Sequence, residues 1–225
     1  MRRFVTTLLV LATVALAVSP ALAQKKKAPA KKTTAKAAPP PPKTATPEIK
    51  CPSLIGMGVK TVRSFCDVPA GRDPQQGIIV NLPPHSSGTL TFDLHARHLY
   101  SEDEMKRGKV YARYRAVIGV LTMGSELLAR GAVESEFRSE ADLFDRIGGG
   151  NGPGGLKAVA PAGREQVTVE VPAAVEQVSL LGETLDAITP AGHETAVMPG
   201  RPVAIVSNVL FEYQPPAPAK TTKKK

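Results

Sequence analysis

The 225-residue chain carries a formal net charge of +9, with 42% hydrophobic residues, 4% aromatic residues and no tryptophan. The charge sits at the ends: residues 24–50 hold eight lysines against Glu48, residues 214–225 hold four lysines and no acid, and residues 51–213 carry a net −4. For residues 51–213 this excludes the basic face of a nucleic-acid-binding domain, and nucleic acid is not expected as a partner.

Arg2-Arg3 followed by an uncharged, mostly apolar run from Phe4 to Val18 predicts a signal peptide over residues 1–23. Ala21-Leu22-Ala23 supplies the small-x-small cleavage pattern, so the mature chain should start at Gln24, cut after Ala23. Fifteen helical residues rise only about 22 Å, short of the roughly 30 Å hydrocarbon core, which favours cleavage over anchoring. No other apolar run approaches spanning length, and the mature protein should be exported, either periplasmic or secreted.

Residues 24–50 are Lys, Ala, Pro and Thr around Pro39-Pro40-Pro41-Pro42, and residues 214–225 repeat that chemistry. Such segments bury too little apolar surface to offset the entropy of ordering, so both are expected to be disordered basic tails. A flexible polycation attracts anionic polymers and lipid surfaces in a salt-sensitive way. A solubilising spacer is the plainer alternative.

Cys51 and Cys66 are the only cysteines. In an exported chain they should form a disulfide, because a metal pair would need two further ligands and a redox pair usually sits as Cys-x-x-Cys. The bridge would anchor the first residues of a single domain over residues 51–213.

That domain reads as β-branched or alternating segments between Gly, Pro, Asn and Ser. Strands are predicted over residues 59–65, 77–81, 89–97, 110–121, 126–137, 156–160, 166–171, 176–181 and 203–213, with a weaker one over 195–198. Short helices are expected to start at Ser101-Glu102-Asp103-Glu104 and Ser139-Glu140-Ala141-Asp142, the second reaching Ile147. Nine or ten short strands predict an all-β fold, an antiparallel two-sheet β-sandwich, jelly-roll-like, with one or two short helices. The pattern resembles jelly-roll binding modules, a likeness of fold that implies little about function.

Glu134 and Glu136 share one face of a strand and invite comparison with carboxylate pairs of glycoside hydrolases. A plainer reading is available. A two-residue turn at Gly124-Ser125 sets Arg115 opposite Glu134, Arg113 opposite Glu136 and Val117 opposite Ala132, giving an apolar face and a charge-paired face at once. Residues 150–155 match G-x-G-x-x-G but follow a predicted helix, the reverse of a dinucleotide fingerprint. His95 and His98 should diverge along a strand, the serines lack a nucleophile-elbow motif, and no metal, cofactor or catalytic constellation is indicated.

Tyr100 and Tyr111, with Tyr213 and the Asn151 loop, are the weak ligand candidates. The expected function is a non-catalytic exported β-sandwich that interacts with a cell-envelope component, its tails attaching to anionic surfaces. The rivals are a carbohydrate-binding module, with a glycan as partner, and a secreted hydrolase of envelope polymers.

Overall fold

The structure, a computed structural model, describes residues 40–148, 158–195 and 198–216. Their strands are β1 (Lys43–Ala45), β2 (Glu48–Lys50), β3 (Leu54–Met57), β4 (Ser64–Pro69), β5 (Ile78–Asn81) and β6 (Ser87–Tyr100). After helix α1 (Glu102–Lys106) come β7 (Ala112–Thr122), β8 (Leu127–Phe137), β9 (Ala158–Pro172), β10 (Gln177–Thr189), β11 (Gly192–Glu194) and β12 (Pro202–Gln214). One sheet runs β3-β4-β12-β6-β9 with β1 also on β12, and the other β2-β5-β10-β7-β8 with β11 also on β10. All the strand ladders are antiparallel, so the fold is the expected all-β sandwich.

Alternation along the strands explains the layers. Leu90, Phe92 and Leu94 of β6 face inward to meet Ile118 and Val120 of β7 and Leu180 of β10, all buried. Each such side chain contributes about 1.5–3 kcal/mol relative to leaving it exposed. The two layers approach closely at Gly182 of β10, where an added Cβ would lie 2.3 Å from the Val203 side chain of β12.

The opposite face of β6 is not the solvent face that its alternation suggests. Asp93 and His95 are buried beneath Phe144 and neighbouring residues, because the 139–148 segment crosses the outside of the first sheet. Phe65, Ile147 and Ile205 form a small apolar cluster there.

This segment corrects one predicted element. Only Glu140–Asp142 turns, as a single 3-10 turn, and the chain then runs extended instead of helical to Ile147. Phe144 N–H donates to Pro161 and Gly148 N–H to Met57. A helix this short is costly to nucleate, and partners in adjacent strands satisfy its backbone instead.

A second correction concerns residues 59–65. The stretch Gly58–Arg63 is a turn, with the buried Asp145 carboxylate accepting from Lys60 N–H at 2.9 Å and Thr61 N–H at 2.8 Å. Its β-branched Val62 sits in the left-handed region at φ 56°.

The 166–171 prediction extends into a single strand, β9, running from Ala158 through a bulge at Gly163 and Arg164; residues 156 and 157 lie outside the described residues. The weak strand at 195–198 is displaced to β11, with Thr195 and Met198 outside any strand and residues 196–197 outside the described ones.

The domain also starts earlier than Cys51. β1 pairs with β12 and β2 with β5, so residues 43–50 belong to the sandwich. The lysine-rich composition hid Thr44 and Ile49 as strand residues. Cys51 and Cys66 are disulfide-bonded, tying the exit of β2 to β4.

Between Ala112 and Val120 the β7–β8 ladder has the expected register, including Arg113 opposite Glu136, Arg115 opposite Glu134 and Val117 opposite Ala132. The turn differs. Thr122 N–H bonds to Glu126 around a three-residue loop, with Ser125 left-handed at φ 67°, and a bulge between Val120 and Leu121 restores the register.

Candidate functional site

One end of the sandwich opens into a cleft of about 450 Å³. Its wall is the last turn of β6, His98-Leu99-Tyr100, followed by Glu104 of α1 and the Lys109–Ala112 entry to β7. Tyr114 of β7, Thr189 and the Pro190-Ala191 turn, Glu194 of β11 and Arg201 close the other side. The cleft exists because the second core cluster, beneath this end, is built from Ala112, Ala158, Ala160 and Ala162 with Tyr100, Val110 and Phe137. Alanines reach less far than the leucines and valines of the main core, so the layers are less filled here.

Three of the chain's four tyrosines line this cleft: Tyr100, Tyr111 and Tyr114. Tyr100 is buried, Tyr111 is 43% exposed and Tyr114 lies between. Burial raises the Tyr100 and Tyr114 phenols, offset in part by Arg146 and by Arg97 and Arg201 respectively, so both stay protonated donors at neutral pH. His98 stacks on Phe137 at 3.7 Å between ring centroids. Burial pushes His98 down to about 4, which makes it a neutral imidazole near pH 7. Among the described residues its Nε2 has no hydrogen-bond partner.

Glu194 and Arg201 form a bidentate ion pair, with Nη2 donating to Oε2 at 2.6 Å. Such a fork fixes both planes. Glu104 is exposed on its short helix. The arrangement offers rings to stack on and donors and acceptors to bond, which suits binding.

The sequence candidates divide. Tyr100 and Tyr111 come together in the cleft, whereas Tyr213 stacks on Phe211 at 5.5 Å in a separate groove with Pro42 and Glu170. Asn151 and the glycine-rich stretch lie outside the described residues, as do Ala23 and Gln24. Tyr114, His98, Glu194 and Arg201 were missed. A readable signal existed for Tyr114: a tyrosine on the inward face near the start of a strand places a hydroxyl where core meets water.

Glu134 and Glu136 lie on the exposed outer face of β8. Glu134 accepts from Arg113 at 2.6 and 3.1 Å, and Glu136 from Arg138. The ion pairs are therefore diagonal or along the strand, a correction to the directly opposed pairs that the register suggested. Arg113 reaches diagonally because its long side chain leans along the ladder.

One arrangement resembles a nucleophile and its base. His95 Nδ1–H donates to Gly163 carbonyl at 2.7 Å, and Ser207 Oγ–H donates to Nε2 at 2.9 Å. Burial lowers His95, with the Gly163 bond opposing, and keeps it the neutral tautomer these bonds require. Ser207 and His95 are 2% and 0% exposed, so no substrate reaches them in this structure. With Arg63 bonded to the buried Asp93 at 2.6 Å, they form the polar interior under Phe144.

The chain matches no protein-family model and no curated protein. Among solved structures it is similar to the K1 cleaved adhesin domain of Lys-gingipain from Porphyromonas gingivalis W83. The identity is 13%, the coverage 72% of this chain and 71% of that chain, and the TM-score 0.28, a likeness that carries no argument. What fold and cleft define is a class, a disulfide-bonded all-β sandwich with an aromatic-lined end cleft.

Proposed function

We propose that this chain is an exported, non-catalytic binding module of the cell envelope, with the end cleft as its ligand site and a glycan as its ligand. The meeting of three of the four tyrosines in one polar-rimmed cleft carries this reading. Aromatic faces complement the apolar C–H faces of sugar rings, and the surrounding side chains supply the few convergent polar groups of a ligand pocket. A larger groove of about 650 Å³, lined by Ala70, Gly71, Arg72, Asp73, Gln76, Gly182, Glu183 and Pro199, contains no aromatic ring.

The lysine-rich stretches 24–39 and 217–225 hold the module near anionic polymers or lipid by salt-labile attraction. The disulfide supports an oxidising compartment outside the cytoplasm. Glycan-array binding of the mature chain, lost on Tyr111→Ala with an unchanged thermal midpoint, is the expected result. Binding indifferent to Tyr100 and Tyr111 would refute the cleft as the site.

A further inference from the structure

Among the described residues, the charges lining the cleft cancel. Glu104 and Glu194 stand against Lys109 and Arg201, and both ends of the Arg201 guanidinium fork are taken by Glu194. The one histidine there is buried. What remains to meet a ligand is Tyr111, half in solvent, the partly buried Tyr114, and Glu104 and Lys109, both exposed.

We propose that the cleft selects an uncharged sugar chain over an acidic one, by ring stacking on Tyr111 and hydroxyl hydrogen bonds in place of ion pairing. This rests on the cleft being the glycan site. An anionic ligand would find, among the described lining residues, Lys109 as the cation outside the Glu194–Arg201 pair and would face the Glu104 and Glu194 carboxylates. A sugar hydroxyl, being donor and acceptor, can bond the Tyr111 phenol, the Lys109 ammonium or the Glu104 carboxylate without breaking the Glu194–Arg201 pair. The protein would then have two modes of attachment with different salt responses: charge-driven and salt-labile at the lysine-rich ends, and nearly salt-independent in the cleft.

The test is calorimetric titration of the full mature chain with maltohexaose and cellohexaose as neutral probes and hexagalacturonate as the acidic one, at about 50 and about 500 mM NaCl. A neutral hexasaccharide should bind with a Kd that changes less than about twofold with salt and weakens at least about tenfold in Tyr111→Ala. Hexagalacturonate binding should be lost at high salt and unaffected by Tyr111→Ala, because it belongs to the ends. Glu194→Gln, which frees the Arg201 fork, should give the cleft a new, Tyr111-dependent affinity for hexagalacturonate. Tyr111-dependent binding of hexagalacturonate by the parent, tighter than either neutral probe, would overturn the neutral selectivity and leave the glycan site standing. If neither kind of probe shows Tyr111-dependent binding, the glycan site itself is wrong.

Discussion

Arg115 and Glu134 stand opposite each other across the β7–β8 ladder, yet the Glu134 carboxylate takes its hydrogen bonds from Arg113, two residues along. Arg113 lowers Glu134 by hydrogen bond first and charge second. Both side chains are about half exposed, so water and salt screen the pair. Glu134→Gln and Glu136→Gln should each leave the thermal midpoint within about 2 °C of the parent and leave ligand binding intact. Calorimetry in low and high salt checks this, and loss of binding in either variant would point to chemistry on that face.

Ser125 occupies a left-handed position that glycine holds without steric strain. Ser125→Gly should stabilise the protein by about 0.5 kcal/mol, after the larger unfolded-state entropy of glycine is subtracted. Ser125→Val should destabilise it. Urea midpoints at constant slope decide both.

The fold should weaken in acid through its buried histidines. His98, ordinarily near 6.5, sits at about 4 in the folded chain because of burial. The unfolded chain therefore takes up the proton first as pH falls. The contribution is complete above about pH 6.5 and is lost progressively toward pH 4, up to about 3 kcal/mol in all. His95, lowered by burial against its Gly163 bond, acts in the same direction. His98→Gln should flatten the stability curve between pH 4 and 6.5, and a curve parallel to that of the parent would contradict the assignment.

Deleting residues 24–39 and 217–225 from the mature chain should preserve the fold and abolish low-salt retention on anionic lipid vesicles. Extending the N-terminal deletion through Lys50 should not be tolerated equally, since it removes β1 and β2 and the β1–β12 and β2–β5 ladders. Circular dichroism melts and vesicle co-sedimentation measure the two effects. Equal retention of the shorter chain would place anionic binding on the domain.

Much of the sandwich was legible because strand periodicity and turn residues agree: the Leu90-Phe92-Leu94 face of β6 and the Arg113–Phe137 hairpin register followed directly from alternation. Alternation is a local signal, and the misses are places where a distant segment decides. Asp93 and His95 alternate as solvent residues but are roofed by Phe144, fifty residues on, and the turn at Thr61 is held by Asp145. Lys43–Lys50 looked like tail because lysine dominates its composition, although edge strands tolerate lysine well. Of the cleft, Tyr111 was readable as an exposed-ring candidate, whereas Tyr100, read the same way, is buried at the cleft wall. The Glu194–Arg201 pair and His98 were not, because no sequence spacing links β6, β11 and the entry to β12.

The four tyrosines provide an internal control for the central claim, three in the cleft and Tyr213 in the separate groove. In a ring-labelled tyrosine NMR titration of the mature protein with a neutral hexasaccharide, Tyr111 and Tyr114 should shift in a saturable manner, Tyr100 by less, and Tyr213 not at all. Shifts confined to Tyr213, or saturable binding with no tyrosine shift, would contradict the cleft as the ligand site.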